Sequence, residues 1–260
     1  MRRLGENAPK TEILRFGDAA SRSQAAALAE RGRHFEFLQE HLERFAGPVD
    51  NVLIGEESTV ATIDILHVLP NERTGCHVLV TCGMSDRPLL GVAADRSLVE
   101  LSVCLPAEWP MSERALEDDR HYWPIGLLRM LAQLPHLFGC GLGAPDVVPN
   151  FDPPEPFAEN TCLCGVMITP SLRLGDEFGR IATGQEMPPI NLFNVLPLLN
   201  EEMEFNREHG PAALLRQFEA ARHNGLINPY RAGVVPALPL MWQTRRPAPT
   251  GIAPATPAVA

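Results

Sequence analysis

Several things are scarce in this sequence. Aromatic residues make up 6% of the 260, and two of them are tyrosines. No apolar run approaches the roughly 20 residues that a bilayer-spanning helix needs, so no membrane segment is expected. The opening Met1-Arg2-Arg3 runs into polar residues rather than an apolar core, which argues against a secretory signal. Positive charge is also short. Lys and Arg number 22 against 32 Asp and Glu, giving a net charge of -10. A surface of that sign repels phosphate backbones, so no direct nucleic-acid partner is expected. A cytoplasmic protein is the default expectation.

The usual signatures of site chemistry are missing as well. The six cysteines (Cys76, Cys82, Cys104, Cys140, Cys162 and Cys164) lie in apolar company without the paired spacing of a zinc site. They read as buried, reduced thiols, with Cys162 and Cys164 sharing one face of a strand. A metal site would have to draw on His121, His136, Asp146 and the thiols, but the histidines are isolated in sequence. The run Gly139-Cys140-Gly141-Leu142-Gly143 looks like a phosphate loop, yet it follows a helical stretch and has no Lys-Ser/Thr after it. It reads as a glycine turn. No catalytic, cofactor-binding or metal set is therefore expected.

What is present is proline and patterned apolar residues. The 25 prolines are about twice ordinary usage. They predict short elements and long loops. Residues 1–22 read as a flexible N-terminal arm. From Ser23 to Phe45, apolar positions recur at helical spacing, with Gly32 splitting the run in two. Residues 59–68 and Cys76–Thr81 read as a β-hairpin, and Leu98–Leu105 as a third strand whose polar Glu100 and Ser102 face away from Val99, Leu101, Val103 and Leu105. That alternation predicts a half-exposed antiparallel sheet. Trp123-Pro124 is expected to open an apolar helix that Pro135 stops. Strands follow at 161–169 and 190–196, and two helices after Asn200 and Gly210-Pro211. Residues 139–160 and 170–189 read as loops. The tail 245–260 is Pro/Ala-rich and expected to be disordered. The fold class is α+β, a single mixed, mainly antiparallel sheet flanked by helices, in one domain over residues 23–244.

One stretch tempts a catalytic interpretation. After the strand ending at Cys82 come Gly83, Met84, Ser85, Asp86 and Arg87. A small hydrolase would use Ser85 as nucleophile, His77, His121 or His136 as base and Asp86 to orient it. The surroundings are not a Gly-x-Ser-x-Gly elbow. The competing interpretation is a structural or partner-binding corner. There Ser85 and Asp86 satisfy backbone N–H groups, Arg87 forms an ion pair, and Gly83 takes a conformation other residues avoid. Trp109, Trp123, His136, Glu201 and Glu202 form a candidate secondary surface.

Separated pieces of the chain carry a family resemblance. They are Thr62–Val68, Leu79-Val80-Thr81-Cys82-Gly83-Met84-Ser85-Asp86-Arg87-Pro88, Glu100-Leu101 with Leu105–Trp109, Trp123-Pro124-Ile125 with Leu131-Ala132 and Pro135-His136, Pro149-Asn150, Pro153–Ala158, Thr161, and Asn191-Leu192-Phe193 through Pro197-Leu198 to Glu201-Glu202 and Phe205. In order and spacing they resemble the suppressor-of-fused domain in its bacterial form. The resemblance implies a mixed α/β fold and a non-catalytic role binding a protein partner. For a bacterial member it implies an immunity protein that neutralises a toxin. A regulatory scaffold that binds a peptide segment of a signalling or transcription partner is the alternative.

Overall fold

The computed structural model describes residues 11–15, 32–185 and 187–235. Its frame is a nine-stranded mixed sheet in the order β1-β2-β3-β4-β5-β9-β7-β6, with β8 paired to β9 off that path. The strands are β1 (Ile13–Arg15), β2 (Asn51–Leu53), β3 (Asp64–Val68), β4 (Cys76–Cys82), β5 (Leu98–Pro106), β6 (Val147–Pro149), β7 (Gly165–Thr169), β8 (Arg180–Ile181) and β9 (Ile190–Leu198). All pairings are antiparallel except β5 with β9, where Leu98 lies opposite Ile190 and Ser102 opposite Asn194. A parallel pair needs a long crossover. Here the intervening chain supplies one, including helix α2 (Asp119–Phe138).

The sheet is covered on both faces, which corrects the expectation of a half-exposed one. Val99, Leu101, Val103 and Leu105 of β5 pack with Leu79 of β4 and with Trp123, Leu127, Leu128 and Leu131 of α2. The opposite face, with Val78, Val80, Leu98 and Cys104, lies under Phe35, Leu38 and Leu42 of helix α1 (Phe35–Phe45). Farther along that face, Leu196 and Leu198 meet Met203 of α3 (Asn200–His209) and Leu214 and Phe218 of α4 (Pro211–Ala220). Each fully buried Leu or Ile in these layers contributes roughly 2 kcal/mol of transfer free energy. Polar Glu100 and Ser102 share the α1 face yet are 0% and 3% exposed. Their alternation marks a buried polar site, not a wet face.

Proline does not bound α2 as its sequence suggests. The helix begins at Asp119, where the Asp118 side chain accepts from the Arg120 N–H, and it runs through Pro124 and Pro135 to a left-handed Gly139. Pro124 cannot donate to the carbonyl of Arg120. Asn160 Nδ2 donates to that carbonyl instead, at 3.1 Å. Near the end, the N–H of Cys140 reaches the Pro135 carbonyl at 3.1 Å and closes the helix.

Other boundaries shift too. The expected strand 59–68 is β over Asp64–Val68 only, and 161–169 only over Gly165–Thr169. Within the expected arm, Ile13–Arg15 pair with β2, Ile13 opposite Leu53. The loops at 139–160 and 170–189 hold the short strands β6 and β8. Cys140 and Cys162 are exposed and Cys164 is buried, so the thiols are not uniformly interior. Cys162 and Cys164 precede β7 and share no strand face. The expected helical piece around Ala27 and Leu28 and the tail 245–260 lie outside the described residues.

Candidate functional site

The corner after β4 is built around one buried carboxylate to which the sequence pattern assigned no site role. Glu100, on the neighbouring strand β5, is 0% exposed. Its Oε1 accepts the N–H of Gly83 at 3.1 Å, the N–H of Ser85 at 2.9 Å and the Ser85 hydroxyl at 2.7 Å. Its Oε2 accepts the Thr81 hydroxyl, and Thr81 Oγ1 in turn accepts the N–H of Leu101 at 2.8 Å. Gly83 has φ +118, and a Cβ there would stand 2.2 Å from the carbonyl oxygen of Thr62. Both the conformation and the close approach require glycine. The N–H groups of Gly83 and Ser85 are thus satisfied by Glu100, whereas the Asp86 side chain accepts a backbone N–H from outside the turn, that of Arg33.

Two histidines fasten the corner to its surroundings. His34 Nδ1 lies 2.9 Å from Ser85 Oγ. Because the Ser85 proton is committed to Glu100, His34 is the donor. Asp86 Oδ1 accepts the N–H of Arg33 at 3.0 Å and lies 3.8 Å from the same His34 nitrogen. From the other face, His136 of α2 donates Nε2–H to the Met84 carbonyl at 3.0 Å. Burial sets the titration of the cluster. Desolvation pushes the Glu100 carboxyl up to about 7, against the pull of its bonds to Thr81 and Ser85. Burial also raises Asp86, with His34 opposing, and lowers His34, with Asp86 opposing. Cys82 is raised well above the ordinary thiol value by burial and then by Glu100.

This geometry does not make Ser85 a nucleophile. The side chain is 0% exposed and its hydroxyl already donates to a carboxylate. A triad needs serine and carboxylate on opposite ring nitrogens, whereas His34 offers Nδ1 to both. None of the three histidines considered as bases is bonded to Ser85, whose ring partner is His34. His77 bonds His67, His121 bonds the Ala115 carbonyl and His136 bonds the Met84 carbonyl. Arg87 is exposed and forms no ion pair among the described residues. Among those residues no group of three or more His, Cys, Asp or Glu is placed to hold a metal ion. No described helix is long and apolar enough to cross a membrane.

The candidate secondary surface is not one surface. Trp123 is 1% exposed and stacks on Phe157 with centroids 5.3 Å apart. Trp109 packs edge-on against Trp123 and donates its indole N–H to the His121 carbonyl. Glu202 is 0% exposed. It turns inward to accept the N–H groups of Leu199 and Val234 and to grip both terminal nitrogens of Arg231. Glu201 is half-exposed, and half-buried His136 belongs to the corner.

The corner delivers something the sequence reading missed. Its exit carries Leu90, 65% exposed, to the end of α2, where a Cβ on Gly139 would touch Leu90 Cδ1 at 3.8 Å. Leu137 and Phe138 in the last turn of α2 are 54% and 72% exposed. All three lie around the end of α2, an apolar ridge by position beside the corner. The uniformly apolar character of α2 is its sequence signal, but that pattern also describes a buried helix.

Comparisons with known proteins agree with this architecture. The family model described as Suppressor of fused protein (SUFU) matches residues 59–232. A suppressor of fused homologue from Neisseria gonorrhoeae is similar in structure, with a TM-score of 0.58 and 19% identity over 79% of this chain and 99% of that one. The Sufu–Fu complex matches with a TM-score of 0.55 and 14% identity, covering 76% of this chain and 91% of that one. Drosophila Suppressor of Fused matches at TM-score 0.55 and 12% identity, over 87% of this chain and 53% of the Drosophila chain. This chain therefore spans about half of the fly protein. No curated protein matches by sequence. The family model covers well over half of the sequence and includes the corner, the whole of α2 and the Glu202–Arg231 clasp: the chain belongs to the suppressor of fused family.

Proposed function

We propose that the chain is a non-catalytic module that holds a protein partner against the ridge at the end of α2. One observation carries this reading: Leu90, Leu137 and Phe138 stand exposed together on backbone fixed by the Glu100 corner and by His136. A grouped, exposed apolar surface is the usual mark of a partner site, and aromatic anchors dominate such contacts. Family membership supports the same role, since one similar structure is that of Sufu assembled with Fu. The finer proposal is a cytoplasmic immunity protein that neutralises a toxin. Its net charge of -10 complements a basic partner such as a nucleic-acid-cleaving toxin. Co-expression with a toxin from a neighbouring gene tests it. The chain should protect the cells and co-purify with the toxin, and Phe138→Asp should abolish both while leaving the melting temperature near that of the parent. Absence of protection and of any captured partner overturns the proposal.

A second reading is a regulatory scaffold that adds an extended peptide to the sheet edge. Strand β6 favours it, because it is the outermost of the described strands on that side. A peptide array separates the two, as only the scaffold takes up short linear segments along β6.

A further inference from the structure

The opposite end of α2 borders a groove of about 590 Å³ that none of the foregoing uses. One wall is the chain from Arg222 to Arg231 and the other is the turn after β5 with the start of α2. The first wall is fixed at three points. The N–H of Ile227 bonds the Cys104 carbonyl at 2.9 Å, the Thr161 hydroxyl bonds the Pro229 carbonyl at 2.8 Å, and Arg231 is gripped by Glu202. This wall is therefore preorganised, which lowers the ordering cost of binding.

Charge identifies the occupant. In an acidic protein the described residues lining this groove include three arginines and one carboxylate, Glu108. Arg120 is neutralised by Asp118 and Arg231 by Glu202, which leaves Arg222 without a counter-ion among the described residues. Next to it, His223 accepts the N–H of Gly225 on Nδ1, so its proton is on Nε2. The lowered affinity of His223 for a second proton, caused first by burial and then by Arg231, keeps the ring a neutral donor. Tyr230, 76% exposed, Trp109 and three prolines supply the apolar remainder. A guanidinium and an N–H beside aromatic and proline surface suit a carboxylate flanked by apolar residues. We propose that the groove is a second binding site, which takes an extended acidic peptide segment of a protein partner and seats an Asp or Glu carboxylate on Arg222 and His223.

The test selects short random segments, displayed on phage with no free carboxyl terminus, on the full chain. Segments rich in Asp or Glu should emerge. Their affinity should fall roughly tenfold on Arg222→Gln, or on changing their acids to amides, and should weaken with salt. Glutamine shares arginine's backbone constraint at φ 52, so the variant isolates the charge. Tyr230→Ala should weaken the same segments with no change in melting temperature. Recovery of no segment, of neutral or basic ones, or of segments indifferent to Arg222→Gln overturns the proposal. Segments lost on Phe138→Asp but indifferent to Arg222→Gln would belong to the α2 ridge, overturning the groove while leaving the proposed function intact.

Discussion

Two fully buried glutamates organise different parts of the molecule, and they are held in different ways. Glu100 sits in mid-sheet and is surrounded by neutral donors: two backbone N–H groups and the hydroxyls of Thr81 and Ser85. Glu202 opens α3 and faces the guanidinium of Arg231, whose side chain is 8% exposed and whose Nη2 also donates to the Pro197 carbonyl. Neutral donors fix a shape without supplying a counter-charge, so desolvation still pushes the Glu100 carboxyl up to about 7. A bidentate arginine supplies both geometry and charge. The first arrangement suits an internal corner that must present a ridge. The second suits a clasp, because Glu202 ties α3 to the chain at Arg231 and Val234 and so holds the groove wall in place.

The largest expected effect separates the two by breaking the clasp. Arg231→Ala leaves Glu202 buried and unpaired, which costs about 3–5 kcal/mol. Urea denaturation would measure the loss, and the amide of Val234 should lose its protection from hydrogen exchange. The same variant removes the contact of Arg231 with the Phe218 ring, 5.1 Å from its centroid, adding to the loss. A cost below about 1 kcal/mol would mean that solvent reaches Glu202 and that the two glutamates do not differ as described.

A smaller effect belongs to Glu100 and depends on pH. Its carboxyl is raised in the folded protein from an ordinary value of 4.5 to about 7, so the folded state binds a proton that the unfolded state releases. The stability this gives is fully present below about pH 4.5 and is lost as pH rises toward 7, by about 3 kcal/mol in all. Glu100→Gln should flatten that slope and leave the shallower contribution of Asp86, which is raised in the same direction. Denaturant midpoints of parent and variant across this range would show it. An equal slope in both would assign the proton to another group.

Legibility in the sequence follows the range of the interactions involved. The core side of β5 was readable because Val99, Leu101, Val103 and Leu105 need only a period of two and an apolar cover. Glu100 was not, since its partners Thr81, Gly83 and Ser85 sit 15 to 19 positions away and only strand pairing assembles them. The same pattern therefore predicted a wet face where α1 lies. The corner residues Gly83 to Asp86 were found from their turn chemistry, and Asp86 does accept a backbone N–H, but the acceptor for Gly83 and Ser85 is Glu100 on the next strand. His34 and Arg231 carry no local signal at all, because each acquires its role from a partner 51 or 29 residues distant. Phe138 shows the limit from the other direction. An apolar helix end reads as buried, and nothing local tells whether anything packs over it.

The smallest effect is at Asp86, where the corner's structural and partner-facing roles can be told apart. Its carboxylate gains one bond to the N–H of Arg33 and a 3.8 Å approach to His34. It is also partly open to solvent, with the side chain 21% exposed. Asp86→Ala should cost about 1 kcal/mol, seen as a fall of about 2–4 °C in melting temperature. Partner capture should not change, because Leu90, Leu137 and Phe138 keep the base that Glu100 and His136 provide. The converse result, an unaltered melting temperature with capture lost, would make Asp86 a contact residue. It would also extend the partner surface from the ridge onto the corner itself, so that the site held by Glu100 would present charge as well as apolar area.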